Sequence, residues 1–163
     1  MKPLRLTAFI VIAILISSAV GCSSLSEAER AYNKGTDIFR QGLFEGAVPH
    51  YTTAIQLDPN YADAYSSRGG LYSILGQYED ALQDFEKAIQ LDPDSGPYIY
   101  RGITYSELGE YQKAINDYTR LIQIDPYDAY ALHMRSLAYY SLGQTANAKD
   151  DRDDACYLSL KYC

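Results

Sequence analysis

Three arginine–aspartate pairs recur with the same sixteen-residue separation: Arg68 with Asp84, Arg101 with Asp117, and Arg135 with Asp151. A guanidinium and a carboxylate at a fixed interval can lock two segments through paired, charge-assisted hydrogen bonds, or can present charge to a ligand. The remaining reactive groups are sparse. His50 and His133 lie far apart with no acid or cysteine at ligand spacing, so they do not form a metal pair. Asp150, Asp151, Asp153 and Asp154 form a dense acidic cluster, but it lacks the glycine and the alternating oxygens of a calcium loop and reads as a solvated face. The sequence has no G-x-S-x-G, no P-loop and no glycine-rich dinucleotide turn. Nothing positive supports an enzyme, and no cofactor or metal is expected.

The interval of the pairs follows from a longer period. Leu57-Asp58-Pro59 returns as Leu91-Asp92-Pro93 and again as Ile124-Asp125-Pro126, spacings of 34 and 33 residues. Tyr65, Arg68, Gly69, Tyr72, Gly76, Tyr78, Ala81, Asp84, Phe85 and Ala88 reappear as Tyr98, Arg101, Gly102, Tyr105, Gly109, Tyr111, Ala114, Asp117, Tyr118 and Leu121. An earlier unit keeps Gly35, Gly42, Ala47, Tyr51 and Ala54, and a later one Arg135, Tyr139, Gly143, Ala148 and Ala155. Apolar residues at three- and four-residue spacing make each unit two helices, with Gly42, Gly76, Gly109 and Gly143 suited to end the first. The sixteen-residue interval then sets each Arg on a first helix beside its Asp on the second. Gly69 and Gly102 fall inside first helices, where glycine costs about 1 kcal/mol against alanine, so a close helix approach is expected there, with Ala47, Ala81, Ala114 and Ala148 facing it.

These units resemble tetratricopeptide (TPR) repeats. The resemblance spans about residues 28–162, divided near 28–61, 62–94, 95–128 and 129–162, with residues 22–27 as a tether. Tyr65 and Tyr98 stand where the family often has Trp, and Leu160 where Pro is usual. The resemblance implies an all-α, right-handed α-solenoid of about four hairpins with the first helices lining a concave groove. That groove would present Tyr32, Phe39, Ile99, Ile103, Tyr130, His133, Leu137 and Tyr140, with Thr36, Asp63, Ser66 and Ser73 between them. It would suit an extended or helical peptide held by aromatic anchors. The Lys–Asn carboxylate clamp of some TPR domains has no counterpart here, which disfavours capture of a peptide C-terminus.

The first 21 residues read as an address. Lys2 and Arg5 precede fifteen uncharged residues, Leu6 to Val20, a run too short for the roughly 20 residues of a membrane-spanning helix. Ala19, Val20 and Gly21 then lead into Cys22, an ending that resembles the lipobox of bacterial lipoproteins. In such proteins the cysteine is lipidated and becomes the new N-terminus; an ordinary cleaved signal and an uncleaved anchor are the alternatives. Ser23 follows the cysteine where inner-membrane lipoproteins usually carry Asp, so the resemblance favours the outer membrane, facing the periplasm. Ser26 with Glu29 forms an S-x-x-E capping box, so the first helix starts close to the anchor.

Cys156 and Cys163 remain beyond the signal. On a straight helix they would lie about 10 Å apart, out of disulfide reach, so the chain must turn near Lys161 if they are to join. An internal bridge, free thiols and an intermolecular bridge all stay open. The 163-residue chain carries a net charge of −7, which speaks against nucleic acid as a partner. The expectation is an adaptor for other envelope proteins or peptides, tied to a membrane by its lipid anchor. The alternative is a structural homodimer or larger self-assembly whose groove is filled by a neighbour.

Overall fold

A computed structural model describes residues 25–94 and 96–163. The signal and the first half of the tether, Cys22 included, lie outside them. The described chain is all helical, four antiparallel hairpins in sequence: α1 (Glu27–Arg40) with α2 (Phe44–Leu57), α3 (Ala62–Ile74) with α4 (Tyr78–Leu91), α5 (Tyr98–Glu107) with α6 (Tyr111–Ile124), and α7 (Ala129–Ser141) with α8 (Thr145–Leu158). A 3₁₀ turn, Leu160–Tyr162, ends the chain. Stacked hairpins of this kind form an α-solenoid in which each unit buries its apolar face on the next.

Local chemistry starts and stops these helices. The capping box at α1 closes in both directions: Ser26 N–H donates to Glu29 Oε2 at 2.6 Å, and Glu29 N–H donates to Ser26 Oγ at 3.1 Å. The Ser26 backbone N–H, and after it the Ser26 hydroxyl, hold the Glu29 carboxyl below its ordinary range. Gly42, Gly76, Gly109 and Gly143 all sit at φ between 74° and 77°, the left-handed conformation that lets the chain reverse into a second helix. The third unit is one residue shorter, and α5 opens on Pro97, whose fixed φ suits a helix start.

Within each of the first three hairpins one helix presents a glycine and the other a ring. A Cβ built on Gly69 would lie 2.8 Å from the Phe85 ring and 3.1 Å from the Ala81 carbonyl, and one on Gly102 would lie 2.6 Å from the Tyr118 ring. The close approach expected at these glycines is therefore made chiefly to Phe85 and Tyr118; Ala81 contributes its backbone. Gly35 meets Tyr51 at 3.0 Å in the same way. The fourth unit, with Arg152 at the ring position, carries Ser136 in place of glycine. Ring and glycine are one packing device, absent together where the ring is absent.

The ion pairs of the second and third units lie beside these rings, and the fourth unit carries its pair without one. Arg68 Nε and Nη2 donate to the two Asp84 oxygens at 2.7 and 2.8 Å, Arg101 to Asp117 at 2.8 and 2.6 Å, and Arg135 to Asp151 at 2.7 Å twice. The aspartates are buried. Tyr65 and Tyr72 flank the Arg68 guanidinium at 5.8 and 5.7 Å, and Tyr98 and Tyr105 flank Arg101 at 5.8 Å each. Arg68 Nη1 and Arg135 Nη1 also reach back one unit, donating to Thr52 and Thr119 at 3.1 Å. The residue equivalent to those threonines at Arg101 is Glu86, whose charge acts on the guanidinium, and Phe85 beside it stacks on Tyr100 across the same joint.

The two ends differ from the joints. Arg30 and Asp37 on α1 are exposed, whereas the repeat equivalents of Arg30 (Ala64 and Ala131) and of Asp37 (Leu71, Thr104 and Ala138) are buried against a preceding unit. Glu27 pairs with Arg30 and Asp37 with Arg40 on that same surface. At the other end the chain turns after Leu158, and Cys156 and Cys163 are disulfide-bonded with their Cα atoms 4.6 Å apart.

Candidate functional site

The first helices line a cavity of about 400 Å³ in the N-terminal half of the concave face. From α1 it takes Tyr32, Thr36 and Phe39; from α3 Ser66, Ser67, Gly70, Ser73 and Ile74; from α5 Tyr100 and Ile103. Tyr51 and Leu71 form its floor, both almost fully buried. Hydroxyls are tied to one another across the helices: Tyr32 to Ser67 at 3.2 Å, Thr36 to Tyr51 at 3.3 Å, and Ser73 to Thr104 at 2.8 Å. These bonds fix the wall before any ligand arrives, so little ordering is left for binding to supply. No Lys, Arg, His, Asp or Glu is among the lining residues.

The structure divides the groove residues expected from sequence. Tyr32, Phe39 and Ile103 line this cavity, together with Thr36, Ser66 and Ser73. Asp63 lines a separate small cleft beside Gly96 and Pro97. Ile99 belongs elsewhere, because it packs on the cluster of Tyr105, Ile115 and Tyr118 between units three and four. Tyr130 and His133 meet the chain's own end: Tyr162 lies 6.3 Å from the first ring and 4.8 Å from the second, stacked on the imidazole at 26°. Leu137 and Tyr140 are exposed on α7, 48% and 72%, outside the cavity.

These differences share one cause. Tyr32, Ser66, Ile99 and His133 hold the same repeat position, at the seam where one first helix meets the next. A residue there faces the groove or the joint according to its size and its neighbour's. Tyr100 and Ile74, both more than half exposed, were missed as cavity residues. Tyr100 shares a repeat position with Ser67, and a large side chain opposite a small one was the signal that one wall would project. The Tyr118 phenol, pushed up to about 12 by burial, is core and takes no part in the site.

The tetratricopeptide repeat family model matches residues 62–95 and 97–128, and a second TPR model matches residues 35–73. The chain belongs to the tetratricopeptide-repeat family. This TPR protein is 44% identical over 66 residues to Hsp70-Hsp90 organizing protein 1 of Glycine max, a match covering 40% of the chain and 12% of that relative. The chain thus spans only about an eighth of the curated relatives it matches first. Among solved structures it is similar to MamA, with TM-score 0.78 and 26% identity over 83% of this chain and 80% of that one. It is also similar to the first TPR of Spaghetti (RPAP3) bound to HSP90 peptide SRMEEVD, with TM-score 0.69 and 25% identity over 71% and 93%. The TPR fold is in general a non-catalytic scaffold for protein–protein interaction, and this chain is such an interaction domain.

Proposed function

We propose that the protein is a lipid-anchored adaptor of the bacterial envelope whose concave cavity takes an uncharged, apolar segment of a partner protein, without chemistry of its own. The observation that carries the ligand class is the wall itself: three aromatic rings, Ile74 and Ile103, separated by hydroxyls and Gly70, with no charged side chain. Apolar and aromatic anchors fill such a site, and backbone groups of the segment meet the serines. The acidic HSP90 peptide in the RPAP3 complex would find no cation here, so capture of that ligand class is not supported. Crosslinking in the protein's own cells, comparing wild type with a Phe39→Ser, Tyr100→Ser, Ile103→Ser triple variant, should show partner capture lost while helical circular dichroism is kept. Equal capture by both would move the binding surface off this cavity.

Anchoring rests on the Lys2-to-Cys22 pattern. No helix among the described residues is long and apolar enough to cross a membrane. Attachment is assigned to a lipid on Cys22 by the residues that lead into it, with the outer membrane favoured by Ser23. Changing Cys22 to Ala should move the protein from the membrane to the soluble fraction of lysed cells. A variant that still pellets with membranes would contradict the anchor. A second reading, a self-assembly whose groove is filled by a neighbour, is favoured by the apolar knob at the chain end, where Tyr157 and Leu160 are 91% and 87% exposed. Mass that rises with concentration, and falls on a Leu160→Ser change, would select it.

A further inference from the structure

The chain end holds a place that a fifth repeat would otherwise hold. Along the array, the large residues at the seam position of a first helix pack on the next unit. Tyr32 lies 5.1 Å from Tyr61 and shares a hydrogen bond with Ser67, and Ile99 joins the cluster that Met134 packs against. His133, the fourth member of that series, meets no further helix among the described residues. Its imidazole stacks instead on Tyr162 at 4.8 Å, and Tyr130 lies 6.3 Å from the same ring. The cover matters to His133, whose Nδ1 is buried and without a hydrogen-bond partner among the described residues.

The tail's own grip is slight. The 3₁₀ turn is three residues long, and its backbone bonds are local, Tyr162 N–H to Ser159 carbonyl at 3.0 Å and Cys163 N–H to Leu160 carbonyl at 3.3 Å. Leu160 and Lys161 are exposed, so Tyr162 is the side chain that seats. The disulfide from Cys163 back to Cys156 on α8 closes the turn and aims that ring at α7.

We propose that the Cys156–Cys163 disulfide is a redox latch: closed, it keeps Tyr162 on the open edge of the fourth unit, and opened, it releases the tail and uncovers His133 and the remaining face of the already part-exposed Tyr130. The reductant is a dithiol, small or protein-borne. One of its thiolates attacks the exposed Cys163 sulfur, forming a mixed disulfide as Cys156 leaves as thiolate. The second thiol of the reductant resolves that bond, releasing Cys163; two electrons and two protons pass from the dithiol to the two cysteines, and the reductant ends as its own disulfide.

The chain has two histidines, so their ring protons can be followed by NMR on the full chain in detergent micelles, with His50→Asn supplying the assignment. In the oxidised protein the Tyr162 ring current should displace the His133 resonances. Excess dithiothreitol, or Cys163→Ser without reductant, should abolish that displacement while the His50 resonances and helical content stay as they were. Tyr162→Ala should abolish it with the disulfide intact. A displacement that survives reduction would show that the tail docks unaided and would overturn the latch. One that survives Tyr162→Ala would overturn Tyr162 as the cover.

Discussion

Asp117→Ala should lower stability by about 3 kcal/mol or more in urea unfolding, a large part of the roughly 5–15 kcal/mol that holds a domain folded. Removing one member of a buried pair leaves the other charge uncompensated, and that penalty exceeds the net worth of the pair itself. The geometry meets the condition: the Asp117 and Arg101 side chains are 6% and 18% exposed and joined by two hydrogen bonds, and Tyr98 and Tyr105 close on the guanidinium. Without the carboxylate, Arg101 loses both of its hydrogen bonds to Asp117 and keeps two aromatic faces and the more distant charge of Glu86. Asp84→Ala should cost less, because Arg68 also donates to Thr52. Leucine at both positions 101 and 117 should recover much of the loss, since apolar replacements can match a buried ion pair. A loss under about 1 kcal/mol for Asp117→Ala, the value of an exposed pair, would remove these pairs from the account of the fold.

Two adjacent glycines should respond in opposite directions. Gly69→Ala is expected to destabilise by about 1–3 kcal/mol, although alanine is the better helix former by about 1 kcal/mol. The added methyl would meet the Phe85 ring at 2.8 Å and the Ala81 carbonyl at 3.1 Å, and Phe85 is fully buried with no room to retreat. Gly70→Ala meets nothing within 4 Å and should stabilise by about 0.5–1 kcal/mol. Thermal melts of the two variants at equal concentration decide it. If both stabilise, the ring can move and the pairing of glycine with ring is not rigid.

Much of this fold was legible because it is written four times. The 33- and 34-residue period, the mid-unit glycines and the sixteen-residue Arg–Asp interval each depend on local geometry that recurs, so agreement between copies separated signal from chance. The site was harder to read. Phe39 and Ile103 reach the cavity and Ile99 does not, a distinction set by how neighbouring first helices meet rather than by any local pattern. His133 and Tyr130 were out of reach for a different reason. Their contact is with Tyr162, which no repeat copy contains and which depends on where the chain turns after Leu158.

The exposed face of α1 limits how copies can combine. A joint in this array needs small or apolar residues on the receiving first helix, as Ala64 and Leu71 provide, and α1 offers Arg30 and Asp37 at those places. A surface that cannot receive a preceding unit cannot propagate a head-to-tail contact, so the protein has no route to an open-ended fibre through its repeat joints. Self-association is left to contacts outside the joints, such as the Tyr157 and Leu160 end entering a neighbour's groove, and its extent is set by whether that exchange is reciprocal.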